Sequence, residues 1–481
     1  MVRHTAGRMR LRFESFGCAL NRGQARELEE RASAEGHDTG AREAGSDLVV
    51  IVTCTVVQAT ENRMLARLKA LRERGKRVLV AGCMAGAQAG IVRKACPGAA
   101  LMPPHEYAGF PALLLELGGK PAGGGKRAEP AAAVADVPVA DGCRGHCTFC
   151  ITRLARGRPS SRPVDEIEAR VEKLVGRGCV EVRLAAQDIG LYGEDIGPDL
   201  PGLLRRLCAL DGDFRLRVGM MNPESLLPMM DALMASFGEP KVFKFLHVPV
   251  QSGDDGVLGR MGRGHTAGDF ENAARRFKKA FPRGVLATDI IVGFPGEDER
   301  AFDRTLELAT RTRPDIINIK AFSPRPGTPA FRMRDAPGRA VVQRRIARLQ
   351  GLRRRIFLEN NRRFIGTVQD VLVTELARKG GVMGRTDGYF PVILDGGTPI
   401  GSHQAVKITG ARAGFLVGNG RDRWPRRTGS RARQRPPRSG RAAGDRGSVA
   451  GCHAWPCGTA CCAAPAAPAG QVLRCSCGRL Y

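Results

Sequence analysis

The 481-residue chain has no apolar run long enough to cross a membrane. Its longest weakly polar stretch, around Val78 to Val92, falls short of the ~20 residues a membrane helix requires. Met1 to Phe13 is basic and lacks an apolar h-region, so no secretory leader is expected, and a cytoplasmic setting is. Acidic residues are scarce: Asp+Glu 48 stand against Lys+Arg 76, a formal net charge of +28. That surplus suits a polyanionic partner such as nucleic acid, although a long enzyme can carry much of it without one. Hydrophobic residues at 43% and charged residues at 26% are ordinary for globular proteins, which excludes a mostly disordered chain. The length allows two to four domains.

The last 61 residues lack more. Residues 421–481 contain no Lys, Glu, Ile, Met, Phe or Asn, yet hold 12 Arg, both Trp and six of the 15 Cys. Such a segment cannot build an ordinary core, and a low-complexity, disordered tail over 419–481 is expected. The irregular spacing of Cys452, Cys457, Cys461, Cys462, Cys475 and Cys477 is weak evidence for zinc. A basic RNA-binding arm and a frame-shifted terminus are the other readings.

The remaining nine cysteines point to metal chemistry in a reducing compartment. In residues 10–117, strands over Arg10–Phe16, Ser46–Thr53 and Arg77–Gly82 alternate with helices over Arg22–Ala34, Gln58–Arg74 and Glu106–Leu117. This pattern predicts a parallel α/β sheet with right-handed crossovers. Cys18, Cys54 and Cys83 each fall just past a strand's carboxyl end, the edge where open parallel sheets bind ligands. Three buried small hydrophobes are the bland alternative, but equivalent placement favours shared cluster ligands. Cys96, Cys179 and Cys208 sit among apolar neighbours and are read as structural thiols. A Gly-, Pro-, Ala- and Lys-rich linker occupies 118–133.

Residues 134–338 hold the most specific motif, Gly142-Cys143-Arg144-Gly145-His146-Cys147-Thr148-Phe149-Cys150. A cubane iron–sulfur cluster takes four thiolates, so three close Cys can hold three irons and leave one open. Structural zinc sites are closed by a fourth ligand, and His146, between the cysteines, is badly placed to be it. The motif resembles that of the radical S-adenosylmethionine (SAM) enzymes, whose open iron binds SAM. Strands near Val134–Val139, Val180–Ala185, Phe214–Gly219, Val242–Val248, Val285–Ile291 and Ile316–Phe322 alternate with helices near Val164–Val175, Leu200–Leu207, Ser225–Phe237, Ala267–Ala280 and Glu299–Thr310. They predict a partial TIM-like (βα)6 barrel with its chemistry at the strand carboxyl ends. Polar, Gly-rich loops follow those ends, among them Gln187-Asp188, His247 to Gly253, Asp289 to Glu297 and Ser323 to Pro329.

Together with Phe16-Gly17-Cys18-Ala19-Leu20-Asn21, Thr53-Cys54-Thr55 and Ala81-Gly82-Cys83-Met84, the chain is similar from about Arg12 to Val417 to the radical-SAM tRNA methylthiotransferases. The resemblance implies an N-terminal domain with a second three-Cys cluster, a radical-SAM barrel and a small TRAM β-barrel. It implies two 4Fe-4S clusters, with Cys143, Cys147 and Cys150 reducing bound SAM and Cys18, Cys54 and Cys83 presenting sulfur that a second SAM methylates. Phe149 would contact the adenine of SAM, and Gln187, Asp188, Gln251 and Gly293 would line its pocket.

Residues 362–418 are strand-rich, with turns at Lys379-Gly380-Gly381, Thr386-Asp387-Gly388 and Asp395-Gly396-Gly397, and read as a small β-barrel with basic Arg378, Lys379, Arg385 and Lys407; its resemblance to TRAM domains implies RNA binding. The helix before it, 339–361, belongs to a segment with nine Arg between Arg339 and Arg363. Val342, Ile346, Leu349, Leu352 and Ile356 form its inward stripe and leave the arginines free for phosphate. Asn21-Arg22-Gly23, Asp188 to Pro201 and Arg217 to Pro223 look most like the archaeal and eukaryotic threonylcarbamoyladenosine branch. The expected substrate is therefore adenosine 37 of tRNA carrying threonylcarbamoyl, methylthiolated at carbon 2. Isopentenyladenosine and a ribosomal protein are the alternatives, and a zinc-containing RNA-binding protein is the non-enzymatic one. A low-potential electron donor, an unidentified sulfur source and a monomeric state complete the expectations.

Overall fold

The computed structural model describes residues 8–120, 132–378 and 380–423. Most of the linker and almost all of the tail, with its six cysteines, lie outside the described residues, as does Lys379. No helix among the described residues is long and apolar enough to cross a membrane.

The first domain is a four-stranded parallel sheet. Leu11–Ser15, Leu48–Thr53, Val78–Gly82 and Ala100–Met102 lie side by side in sequence order. Leu48–Thr53 is buried at every residue, as a strand covered by helices on both faces must be, and so reads as a continuous apolar run. Helices Ala19–Ala34 and Gln58–Glu73 match the expected ones within a few residues. The expected helix over Glu106–Leu117 is divided. A 3-10 turn spans Pro104–Gly109 and an α-helix spans Phe110–Glu116, with Pro111 at its second position, where proline costs no hydrogen bond. The short helices Cys83–Ala87 and Ala89–Ala95 and the strand Ala100–Met102 were not anticipated.

Six parallel strands form the central open barrel: Val134–Pro138, Glu181–Ala185, Arg215–Arg217, Phe245–His247, Val285–Val292 and Ile316–Ala321. The first three pair in order, the last three pair in order, and bridges Leu216–Val242 and Met220–His247 join the two halves. Val182, Leu184, Leu216, Leu246 and Ile290 face the surrounding helices in one continuous core. The helix Ala267–Ala280 starts on a reciprocal cap in which Thr266 and Asp269 satisfy each other's backbone amides.

The first domain bears on both rims of this open barrel. Along the first strand, Arg22 donates to Asp136 at 2.7 Å, and a Cβ on Gly23 would lie 2.7 Å from the Asp136 carbonyl. Past the last strand, Arg325 pairs with the buried Glu61 and donates to the Val56 carbonyl at 3.3 Å.

Five strands close the C-terminal barrel: Val368–Leu376, Val382–Thr386, Pro391–Leu394, His403–Ala411 and Leu416–Arg423. The last strand continues beyond 418, its backbone pairing Arg421 with Ala405 and Arg423 with Gln404. Tyr389 plugs the base of the central barrel, where its hydroxyl donates to Glu181 at 2.5 Å. Arg385, expected at the RNA face, instead lies 4.8 Å over the Tyr389 ring and pairs with Glu375.

The basic helix Arg339–Arg362 buries Leu349, Leu352 and Ile356 as expected. Two of its arginines depart from the expectation of a free cationic face. Arg345 is buried between Glu297 and Glu299 at 3.0 and 3.1 Å, because the loop after the fifth barrel strand brings two carboxylates under the helix. Arg348 is also engaged, with Glu299 and Asp303.

Candidate functional site

Three parallel strands deliver the first set of thiols to one edge. Cys18 caps the helix Ala19–Ala34, Cys54 directly follows Leu48–Thr53, and Cys83 opens the short helix Cys83–Ala87. The motif residues beside them lock this edge. Fully buried Asn21 donates to the carbonyls of Phe16 and Thr53 at 3.1 and 2.8 Å. The Thr53 hydroxyl donates to the Ala81 carbonyl at 2.6 Å and accepts from the Met84 amide. Gly17 has φ +115°, and a Cβ there would lie 2.5 Å from Cys54 Cβ, so a side chain is excluded on both grounds. Burial, with the neighbouring Cys18 and Cys83 adding to it, pushes the Cys54 thiol up to about 12. Burial raises Cys83 as well, opposed by Arg156.

The second set lies on the loop after the first barrel strand. An unanticipated antiparallel clasp, Ala140–Asp141 with Ser160–Ser161, brackets that loop. The Thr148 amide donates to the Met261 carbonyl at 2.8 Å, and the Ala330 amide donates to the Thr148 carbonyl at 2.9 Å. The Gly145 amide donates to Cys143 Sγ at 3.3 Å. Burial pushes the Cys143 thiol up to about 11; the Gly145 amide opposes this, while Asp188, Cys150 and Cys147 add to it. His146 Nδ1 lies 3.1 Å from an Arg153 nitrogen.

The residues expected around SAM divide into two groups. Asp188 lies beside Cys143 and is buried, accepting from the Asn222 side chain at 2.6 Å and the Ser225 hydroxyl at 2.7 Å. The adjacent Gln187 holds its side-chain oxygen buried without a partner. Phe149 stands edge-on to Phe294 at 6.2 Å, and Phe294 continues the aromatic cluster to Phe322. Gln251 and Gly293 sit on the fourth and fifth loops. Gln251 adopts φ +72°, an uncommon conformation for a side chain of that size, while its backbone exchanges hydrogen bonds with Asp289 and Ile291. Gly293 has φ +81°, and a Cβ there would meet Val342 of the basic helix at 2.4 Å. Packing against that helix therefore accounts for the glycine whether or not it lines a pocket.

Both thiol sets fit an iron–sulfur cluster in the chemistry of their donors. Each offers three soft sulfurs, the ligands such clusters take. Burial holds Cys54, Cys83, Cys143 and Cys147 protonated in isolation, a cost that a bound cationic centre removes. Among the described residues no three His, Cys, Asp or Glu close to the spacing of a single metal ion. The unpartnered Gln187 oxygen beside Asp188 offers an acceptor to an ammonium group such as that of SAM.

Two arginines not singled out from sequence complete the site, one at each thiol set. Arg263 donates to Cys147 Sγ at 3.2 Å and to the Asn222 side chain at 2.6 Å, linking the loop to Asp188. Arg156 ends the helix Thr152–Arg156 that follows Cys150. It donates to Cys83 Sγ at 3.2 Å, Asn21 at 2.5 Å and Gln24 at 2.9 Å, and it pairs with Asp141. A single buried side chain thus connects the loop of one thiol set to a thiol of the other.

The Radical SAM superfamily profile matches residues 137–309, Uncharacterized protein family UPF0004 matches 10–102, and the TRAM domain matches 362–419. The chain is 37% identical to the probable threonylcarbamoyladenosine tRNA methylthiotransferase of Archaeoglobus fulgidus, over 85% of this chain and 98% of that one. It is 32% identical to the threonylcarbamoyladenosine tRNA methylthiotransferase of Drosophila melanogaster, over 86% and 78%. It is also 32% identical to the tRNA-2-methylthio-N(6)-dimethylallyladenosine synthase of Geobacter metallireducens, over 86% and 98%. Among solved structures, the radical SAM methyltransferase TsrM from Kitasatospora setae superposes with a TM-score of 0.50 at 14% identity, covering 67% of this chain and 77% of that one; this likeness concerns the fold alone. With three profiles in the expected order and relatives above 30% identity along most of the chain, this protein belongs to the radical-SAM methylthiotransferase family.

Proposed function

We propose that the chain places a methylthio group on carbon 2 of threonylcarbamoyladenosine at position 37 of tRNA, with SAM as both radical source and methyl donor. The observation that carries this reading is the pair of three-thiol sets joined through Arg156, because methylthiolation needs sulfur delivered next to the place where SAM is cleaved. Cys143, Cys147 and Cys150 would hold the SAM-binding 4Fe-4S cluster, and Cys18, Cys54 and Cys83 the second. The chemistry such clusters supply is one-electron reduction of SAM at the first and sulfur presentation at the second.

The chain's own residues have separate tasks. Gln187 and Asp188 offer acceptors to the SAM ammonium, and Phe149 offers an aromatic face for its adenine. Gln251 and Gly293 shape the opposite rim. Arg263 and Arg156 hold one sulfur of each set in place through charge-assisted bonds. The TRAM barrel and the exposed arginines of the basic helix bind tRNA phosphate, and a base in a single-stranded loop can be splayed into the barrel without melting a duplex. A low-potential reductant and a sulfur donor are the further partners, acting on a monomer in the cytoplasm.

The substrate is supported by the names of the archaeal and insect relatives. Nucleoside mass spectrometry tests it, in a host that has threonylcarbamoyladenosine but does not methylthiolate it. The intact chain should add a methylthio group to that nucleoside, and the chain with Cys18, Cys54 and Cys83 changed to Ala should not. Methylthiolation of dimethylallyladenosine instead would move the substrate to that of the Geobacter relative.

A further inference from the structure

The lumen of the central barrel is polar at a level where such barrels are ordinarily filled with branched apolar side chains. Alternation along the strands sends Val182, Leu184, Leu216 and Val218 to the helices, and so sends Asp136, Arg183 and Arg217 inward. Strand register sets these three in one row, Asp136 opposite Arg183 and Arg183 opposite Arg217. His247, Asp289 and Asn318 enter the lumen from the other half of the barrel, nearer the rim.

Every carboxylate in this lumen already has a partner. Asp136 accepts from Arg22 at 2.7 Å. Glu181 accepts from Arg183 at 2.6 Å and from Tyr389 at 2.5 Å. Asp289 Oδ2 lies 2.9 Å from His247 Nε2. Arg217 has Glu181 and Asp136 as nearby charges but forms an ion pair with neither. Its guanidinium stacks 4.5 Å over the Phe245 ring and lies 5.6 Å from that of Tyr389. Its Nε is buried without a hydrogen-bond partner, and among the described residues no carboxylate pairs with it. Three residues further on, Met220 bridges to His247 near the rim, so Arg217 lies about 10 Å below that level along the strand. A substituent projecting from a base held at the rim could reach it; the base itself would not need to.

We propose that Arg217 reads the substrate, pairing bidentately with the threonyl carboxylate of threonylcarbamoyladenosine. This rests on the substrate reading above and adds to it the residue that distinguishes this nucleoside from its relatives. A planar guanidinium held by an aromatic face is preorganised for a carboxylate. An isopentenyl group would leave the cation unpaired, so the same residue selects against a hydrocarbon-bearing adenine.

The test uses the full-length, anaerobically prepared protein and three anticodon stem-loops. Their adenosine 37 is unmodified, threonylcarbamoylated, or threonylcarbamoylated with the carboxylate methyl-esterified. The protein should bind the threonylcarbamoylated RNA roughly tenfold or more tighter than the other two, the range of a charge-assisted pair. Arg217→Gln should lose that preference while keeping its affinity for unmodified RNA, and Arg217→Lys should keep part of it. A preference that survives in Arg217→Gln overturns the assignment and leaves the substrate intact. Equal loss of affinity for all three RNAs marks Arg217 as structural and likewise overturns it. No preference in the unsubstituted protein overturns the substrate reading and this assignment together.

Discussion

Arg156 Nε lies 3.2 Å from Cys83 Sγ, inside a pocket that also holds Asn21 and Gln24. The arginine comes from the helix after the Cys143–Cys150 loop, and the cysteine from the edge of the N-terminal sheet. The two thiol sets are thereby held in fixed relation by one fork of hydrogen bonds. Arg156→Ala leaves Asn21 and Gln24 with buried, unsatisfied oxygens and removes the cation opposite Cys83. The expected result is loss of iron from the N-terminal set with the SAM-cleaving set retained, and a destabilisation of about 3–5 kcal/mol. Arg156→Lys should restore only part, because an ammonium cannot reproduce the planar fork. Iron and sulfide content together with urea unfolding check both outcomes.

The Glu61–Arg325 pair fastens the other rim, with both side chains under 10% exposed. Glu61 also accepts from Gln88, so it sits in a network and not in a lone contact. Removing one partner strands a buried charge. Glu61→Ala or Arg325→Ala should each cost about 3–5 kcal/mol, whereas Glu61→Leu with Arg325→Met should recover much of it. A double-mutant cycle measured by chemical denaturation reads the coupling.

Acid should weaken the fold through His265. Burial, with Arg263 adding to it, lowers this imidazole to about 4, against 6.5 in the unfolded chain. Between those values the unfolded state binds a proton that the folded state refuses, so stability is complete above 6.5 and falls as pH drops toward 4. The loss should approach about 3 kcal/mol at the lower end. His265→Gln should flatten the profile in this window, and denaturant titrations at pH 7 and pH 4.5 measure the difference.

The basic helix should divide by burial. Arg345→Ala should destabilise the fold, since it leaves the buried Glu297 uncompensated. Arg354 and Arg355 are exposed, and their joint change to Ala should weaken tRNA binding and reduce its salt slope by about 2 units, with little effect on unfolding. Filter binding across a salt series separates the two classes.

The architecture was legible because its signals are periodic. Continuous apolar strands such as Leu48–Thr53 and amphipathic helices such as Val164–Val175 announce themselves locally, and a Cys just past each strand end places the thiols on one edge. Arg156 was hidden for the opposite reason. It sits in Arg153-Leu154-Ala155-Arg156-Gly157-Arg158, where three arginines alternate with small or apolar residues, and only packing shows that one of them is buried against Asn21. Arg345 was misjudged in the same way, as one cation among eight on a helix whose periodicity defines an apolar stripe but says nothing of carboxylates arriving from elsewhere in the chain. Short elements such as Ala100–Met102 and the clasp around the Cys143 loop are fixed by pairing partners far away in the chain, which local pattern does not encode.

Two separate thiol sets, each holding an iron–sulfur cluster, are what the proposed reaction requires. The most direct measurement is iron and sulfide analysis with electron paramagnetic resonance on three anaerobic proteins: the intact chain, the chain with Cys18, Cys54 and Cys83 changed to Ala, and the chain with Cys143, Cys147 and Cys150 changed to Ala. Each triple variant should lose about half of the iron and sulfide and keep one distinct reduced-cluster signal, with SAM perturbing only the signal that depends on Cys143, Cys147 and Cys150. Zinc in place of iron, or a single signal abolished by either triple substitution, would rule out two separate clusters.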